Sequence, residues 1–98
     1  MDITTFSASL QESAPPNVSV YLKALWYDAK DNWKTAHNLV DHLEDKTAYL
    51  VHAYLHRKEG DRGNAQYWYS RAGKKMPSNS LQQEWEDLVD ALIDEEAN

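Results

Sequence analysis

Two histidines stand four residues apart in the string HAYLHRKEGD, and His37 lies fifteen residues before the first of them. On a helix, residues four apart share one face, so His52 and His56 could offer two imidazoles to one metal ion, as such pairs do in zinc proteins. A zinc site needs about three or four protein ligands. A metal site would therefore require His37, Asp28 or Asp41 to converge on the pair.

Packing is the alternative interpretation of these histidines, with their ring nitrogens bonded to backbone groups or tyrosine hydroxyls. The residue after His52 is Ala53, so the glutamate of the metalloprotease string H-E-x-x-H is absent. We expect packing, with no metal and no cofactor. His37, His52 and His56 remain the only candidates for metal ligands.

Other catalytic chemistry has little support in this chain. It has no cysteine and only three glycines, and it contains neither a phosphate-binding loop nor a G-x-S-x-G string. Asp28 with His37 or His56 is conceivable as an acid-base pair, but nothing in the sequence sets their geometry. We expect the protein not to be an enzyme.

The charge distribution bears on partners. Residues 1–75 hold ten Lys and Arg against nine Asp and Glu, whereas residues 76–98 hold seven acids and no base. An acidic surface repels phosphate backbones, so we expect no nucleic acid. The run YWYSR is similar to a base-stacking platform, but only Tyr67 and Arg71 are predicted to be free of the helix core. No apolar run is long enough to cross a membrane, and we expect a cytoplasmic protein.

Apolar residues recur at helical spacing along most of the chain, and no segment alternates as a strand does. We predict an all-α fold of about five antiparallel helices. Residues 1–16 are expected to form a partly ordered arm that packs through Phe6. The predicted helices span residues 17–30, 33–44 and 48–59, then a segment capped by Asp61 and ended by Gly73, and a last one capped by Ser80 with Gln83 completing a capping box.

An internal repeat becomes visible when the third and fourth helices are set beside the first and second with an offset of 29 residues. Ala24 then matches Ala53, and Ala36 matches Ala65. Small residues at such places allow two helices to approach closely. The second unit carries the spacing of a known signature at these positions: Tyr49, Ala53, His56, Gly60, Asp61, Ala65, Tyr69, Ala72 and Pro77.

On this spacing, residues 46–79 resemble a tetratricopeptide repeat, and residues 17–45 resemble a degenerate copy. His52 and His56 then fall at packing positions of the motif. The strings LWYDAK and HAYLHR also resemble those of a group of small bacterial proteins, which bears on the fold alone. Two repeats are fewer than are normally needed, so we expect residues 80–95, with Trp85, to cap the exposed flank of the second pair within a single domain of residues 17–98.

The resemblance implies a function in protein interaction. In tetratricopeptide proteins the first helices of the pairs line a groove that binds a peptide segment or partner surface. The positions that would line it here are Tyr21, Leu25, Asp28, Leu50, Tyr54, Arg57 and Lys58.

Other interpretations stay open. Asp28 and Arg57 could simply pair with each other. The whole chain could instead be a self-associating homodimer, or a protein that binds a small ligand or metal through His37, His52 and His56.

Overall fold

The computed structural model describes residues 1–97 and confirms the all-α prediction. Within those residues there are six α-helices, one short 3₁₀ turn and no strand, one helix more than predicted because the N-terminal arm is itself helical. The elements are α1 (Ile3–Ala8), the 3₁₀ turn (Ser9–Gln11), α2 (Val20–Ala29), α3 (Trp33–Val40), α4 (Lys46–Glu59), α5 (Arg62–Arg71) and α6 (Leu81–Glu96). Across this part of the chain, no helix combines the length and apolar character that crossing a membrane requires.

Side-chain caps determine where the helices begin. An oxygen of the capping residue accepts a hydrogen bond from the backbone N–H three residues further on, which satisfies one of the free donors at a helix start. The cap of α4 is Asp45, which bonds the N–H of Ala48 at 2.8 Å, so α4 begins two residues earlier than predicted. The other caps of helices α2, α3, α5 and α6 are Ser19, Asn32, Asp61 and Ser80.

The turns within the two helix pairs, α2 with α3 and α4 with α5, have the same backbone conformation. Each contains one residue in the left-handed region, Asp31 with φ 61° in the first and Gly60 with φ 90° in the second. After each, a backbone N–H returns to the carbonyl oxygen five residues earlier: Asn32 to Tyr27 at 2.9 Å and Asp61 to His56 at 3.0 Å. The 29-residue offset seen in the sequence therefore relates turns of matching geometry.

Helix α6 does not lie where it was expected. It packs across α1, α2 and α4 rather than covering the outer flank of the second pair. Trp85 anchors it: its ring lies 6.0 Å from the ring of Phe6, and its indole nitrogen bonds to the α2 backbone. Phe6 is fully buried, as predicted. The main core shared by these helices includes Phe6, Leu22, Leu25, Trp26, Val51, Tyr54, Leu55, Trp85, Leu88, Val89 and Leu92.

The two ends of α6 also differ from expectation. Ser80 accepts the N–H of Gln83 at 3.0 Å, but the Gln83 side chain donates to Asp87 at 2.9 Å and does not close a capping box. Acidic side chains in the last turn oppose the helix dipole, which favours fraying at that end. The helix instead continues to Glu96, whose carboxylate accepts the Ser19 hydroxyl at 2.7 Å.

Candidate functional site

The predicted groove between α2 and α4 is closed by α6. Leu25, Asp28 and Tyr54 are 0%, 1% and 2% exposed, so they offer no surface to a partner. Tyr21 and Leu50 are half-buried at its edge, and the Tyr21 hydroxyl donates to Asp45 at 2.9 Å. The predicted exposure of Leu25, Asp28 and Tyr54 is therefore wrong, because Trp85 and the aliphatic face of α6 pack against α2 and α4. A hollow of about 420 Å³ lined in part by Asp28, Tyr54, Lys58 and Trp85 remains beside this contact.

Asp28 is the centre of a buried polar network. Its carboxylate accepts the Tyr54 hydroxyl at 3.0 Å and the Lys58 ammonium at 2.9 Å. Burial, and then the neighbouring Asp28 charge, raises the pKa of Tyr54, so its hydroxyl stays protonated and donates. The suggested Asp28–Arg57 pair is not formed, because Lys58 takes that place. Tyr54 and Lys58 thus neutralise and satisfy a carboxylate that would otherwise be costly to bury.

Arg57 is used in the contact with α6. Its guanidinium donates to Glu84 at 2.7 Å and also to the carbonyl oxygen of Asn79. Glu84 is 5% exposed, and its second oxygen accepts the hydroxyl of Tyr69 at 2.6 Å. Burial and this hydrogen bond raise the pKa of Tyr69. Arg57 therefore holds α6 in place and is not a free recognition residue.

The three candidate histidines do come together. His37 on α3 and His52 on α4 place their Nε2 atoms 3.0 Å apart. One ring nitrogen from each of His37, His52 and His56 lies within 4.8 Å of the others. The three ring centroids are 4.7 to 5.2 Å apart. We call these residues the histidine cluster.

Two carboxylates flank the histidine cluster. Glu59 lies 2.6 Å from the Nδ1 of His56, and Asp41 lies 3.7 Å from the Nδ1 of His37. Both contacts are to the Nδ1 atom, so the Nε2 atoms remain on the inner side. Ligand atoms of His56, Glu59 and Asp61 also lie within 4.8 Å of one another, but these two acids are exposed, and Asp61 already caps α5.

Burial favours the uncharged form of two of these histidines, His37 and His52. His52 is 5% exposed, and its desolvation, followed by the nearby His37 and His56, lowers its pKa to about 4. Desolvation also lowers the pKa of His37. Neutral imidazoles can accept a proton or a metal ion through their lone pairs.

A second candidate surface lies on the outside of α5. Tyr67 is 55% exposed, one of two large apolar side chains that the structure leaves open among residues 1–97. The guanidinium of Arg71 lies 4.5 Å from the ring centre of Tyr49, 5.2 Å from Trp68 and 5.8 Å from Tyr67. The α5 surface is defined by these four residues.

An open hollow of about 470 Å³ lies on another side of α5, and none of the four residues of the α5 surface lines it. It lies between α5 and the segment that leads to α6, and its polar wall includes Arg62, Ser70, Lys74 and Lys75.

The sequence contained the signal for the α5 surface, since Tyr67 and Arg71 were predicted to be free of the core while Trp68 and Tyr69 were needed for packing. Tyr69 is indeed buried and Trp68 half-buried. The sequence did not show that the Arg71 guanidinium lies close to the rings of Tyr49, Tyr67 and Trp68.

Comparison of the chain with protein-family models, curated proteins and solved structures finds no match. The resemblance to tetratricopeptide repeats therefore stays a prediction. Function has to be argued from the α5 surface and the histidine cluster.

Proposed function

We propose that the protein is an interaction module with no chemistry of its own, and that it binds an acidic segment of a partner protein on the α5 surface. The observation that carries the proposal is the arrangement around Arg71, whose guanidinium is stacked among Tyr49, Tyr67 and Trp68 at the surface. Tyr, Trp and Arg are the residue types that dominate binding energy in protein interfaces.

The packing of Arg71 supports a recognition role. The Tyr49 hydroxyl accepts one of its N–H groups at 3.2 Å, which together with the rings holds the guanidinium in one place. An arginine already positioned loses less side-chain entropy when it binds a carboxylate, and its planar fork can bond both oxygens of that group. Tyr67, exposed beside it, can bury apolar surface against the partner.

Charge supports an acidic partner. Residues 62–75 contain Arg62, Arg71, Lys74 and Lys75 and no acid, although the whole chain has a net charge of −6. Helix α6 carries the opposite charge, with six acids and no base between residues 81 and 95. Basic side chains around α5, on an otherwise acidic protein, attract acidic segments and speed their association at low salt.

The groove of α2 and α4 is the weaker location. A partner would have to displace α6, and with it the burial of Trp85, Leu88 and Val89. Substitutions that would test an open groove, such as Tyr54→Ala and Arg57→Glu, would break hydrogen bonds to Asp28 and Glu84 in the fold itself. Loss of binding in such variants would report unfolding and not recognition.

The experiment is a pull-down from cell lysate with the wild type and two variants. Tyr67→Ala/Arg71→Glu removes the aromatic and reverses the central charge, whereas Lys34→Glu makes the same change in charge at an exposed position of α3. We expect a partner that both wild type and Lys34→Glu retain and the double variant loses. Its capture should weaken as salt is raised.

Two results would contradict the proposal. A partner kept by the double variant would place binding elsewhere. If the captured species proves to be a second copy of the chain, the α5 surface binds the acidic helix α6 of another copy, and the protein self-associates.

A further inference from the structure

We propose that the histidine cluster is a binding site for a divalent late first-row transition-metal ion of the zinc class, held by His37, His52 and His56. This inference does not depend on the proposed interaction function, because its three ligands lie at the contact between α3 and α4. The two sites share only Trp68, which stacks on His52.

The distances between ring nitrogens suit a metal site. Zn²⁺ binds histidine nitrogen at about 2.0–2.1 Å with tetrahedral geometry, which places two ligating nitrogens about 3.3 Å apart. The Nε2 atoms of His37 and His52 are 3.0 Å apart and share a hydrogen bond, in which one ring donates its N–H and the other accepts. A metal ion would take the place of that shared proton. All three histidines have a nitrogen within 4.8 Å of the others, so a shift of about an ångström in side-chain position completes the ligand set.

The outer contacts of the rings are those of ligating histidines. Metal-bound histidines usually donate their other ring N–H to a carboxylate or carbonyl, which fixes the tautomer and strengthens the ligand. The Glu59 carboxylate is placed to accept such a bond from the Nδ1 of His56 at 2.6 Å, and the Asp41 carboxylate lies 3.7 Å from the Nδ1 of His37. These contacts leave Nε2 as the ligating atom of both rings.

Aromatic rings hold the cluster in position. Trp33 stacks on His37 with centres 4.8 Å apart, and Trp68 stacks on His52 at 4.2 Å. Trp33 is itself fixed, because its indole N–H donates to the backbone oxygen of Leu55 at 2.7 Å. Ligands held by their surroundings lose little freedom when the ion binds.

The donor set indicates which ions bind. Neutral imidazoles suit Zn²⁺, Cu²⁺, Ni²⁺ and Co²⁺, whereas Mg²⁺ and Ca²⁺ prefer oxygen ligands. A neutral imidazole has one N–H and one lone pair, so the proton shared by the Nε2 atoms of His37 and His52 moves to Nδ1 when both rings bind an ion. The His37 side chain is 21% exposed, so solvent can reach the edge of the site and supply a fourth ligand. Three protein ligands and one water are a known coordination pattern for zinc.

The test uses the full chain stripped of metal with a chelator and then titrated with Zn²⁺ in a calorimeter. We expect saturation at one ion per chain and a rise in melting temperature. Co²⁺ in place of Zn²⁺ should give the visible absorption of a tetrahedral nitrogen site. His42 provides the matched control, because it is the fourth histidine and its side chain is 69% exposed. His42→Ala should bind like the wild type, and His37→Gln should bind more than about 100-fold more weakly, beyond what loss of an outer partner costs.

Glu59 is a positioning residue in this proposal. Glu59→Gln should weaken Zn²⁺ about 10- to 100-fold, while the melting temperature of the metal-free variant stays near that of the wild type because this side chain is 37% exposed. Circular dichroism of metal-free His37→Gln must show a folded chain. If it does not, His37→Asn serves for the same comparison.

Three results would overturn the proposal. One is a wild type that binds no Zn²⁺ in the calorimeter, which would leave the cluster as packing alone. Another is equal loss of affinity in His42→Ala and His37→Gln. The third is loss of binding in Asp61→Asn with His37→Gln unaffected, which would place the ion at the exposed acids beside His56.

Discussion

The indole Nε1 of Trp85 donates a 2.9 Å hydrogen bond to the backbone oxygen of Leu25, across a separation of 60 residues. Trp85 is 5% exposed and Leu25 is fully buried. This bond fastens α6 to α2 at the place where the sequence suggested an open groove. The last helix is therefore part of the core, and partners have to be sought on other surfaces.

Substitution of Trp85 tests that role. We expect Trp85→Ala to lower the free energy of unfolding by about 3–5 kcal/mol, since it leaves a cavity against Phe6. Trp85→Phe keeps an aromatic ring but loses the hydrogen bond, and should cost about 1–2 kcal/mol. Urea unfolding followed by far-ultraviolet circular dichroism gives both values. A cost below about 1 kcal/mol for Trp85→Ala would show that α6 is not tightly packed.

Glu84 tests the polar part of the same contact. Glu84→Ala leaves the Arg57 guanidinium and the buried Tyr69 hydroxyl without their shared acceptor, so we expect a loss of about 2–4 kcal/mol. Asp90→Ala, at an exposed position of the same helix, should change stability by less than about 0.5 kcal/mol. The comparison is made by urea unfolding at neutral pH. Equal effects of the two substitutions would argue against a specific role for Glu84.

Replacing Gly60 or Gly63 by alanine should change the stability of the protein in opposite directions. Gly60 has φ 90°, where a Cβ atom is strained, so Gly60→Ala should cost about 1 kcal/mol. Gly63 lies inside α5, and a Cβ added there meets nothing within 4 Å. Gly63→Ala should stabilise the protein by about 0.5–1 kcal/mol, because it reduces the freedom of the unfolded chain. Opposite shifts in melting temperature are expected, and a shift of the same sign in both variants would contradict the turn geometry.

The histidine cluster makes stability depend on pH in the metal-free protein. His52 has a folded pKa of about 4, against 6.5 for an ordinary histidine, so the unfolded chain binds the extra proton as pH falls between these values. Stability is then fully present above about pH 6.5 and is lost toward pH 4, by up to about 3 kcal/mol. The lowered pKa of His37 acts in the same direction.

Urea unfolding at pH 7 and pH 5 in the presence of a chelator measures this effect. His52→Gln cannot take up the proton, so its stability should fall less than that of the wild type over the same interval. An equal fall in both proteins would mean that folding does not lower the pKa of His52.

Local features of this fold could be predicted from the sequence. The capping residues Asp61 and Ser80 start helices where they were expected, because a cap acts within three residues of chain. Phe6 was predicted to anchor the arm because no larger apolar side chain precedes it.

Contacts between distant elements could not be predicted in the same way. The apolar face of α6 would fit the outer flank of the second pair or the space between α2 and α4, and its sequence pattern is the same in both cases. The packing of α6 also determines the ion pairs. Arg57 pairs with Glu84 on α6, and Lys58 pairs with Asp28. Convergence of His37 on His52 depends on how α3 packs against α4, which spacing along one helix does not determine.

Site-specific photo-crosslinking in cells tests the proposed binding surface most directly. A photoreactive phenylalanine derivative replaces Tyr67 on the α5 surface in one protein and Tyr21, at the half-buried edge of the α2 and α4 groove, in another. We predict a covalent adduct with an acidic protein from position 67 and none from position 21. An adduct formed from position 21, with position 67 silent, would contradict the account and return the binding site to the groove.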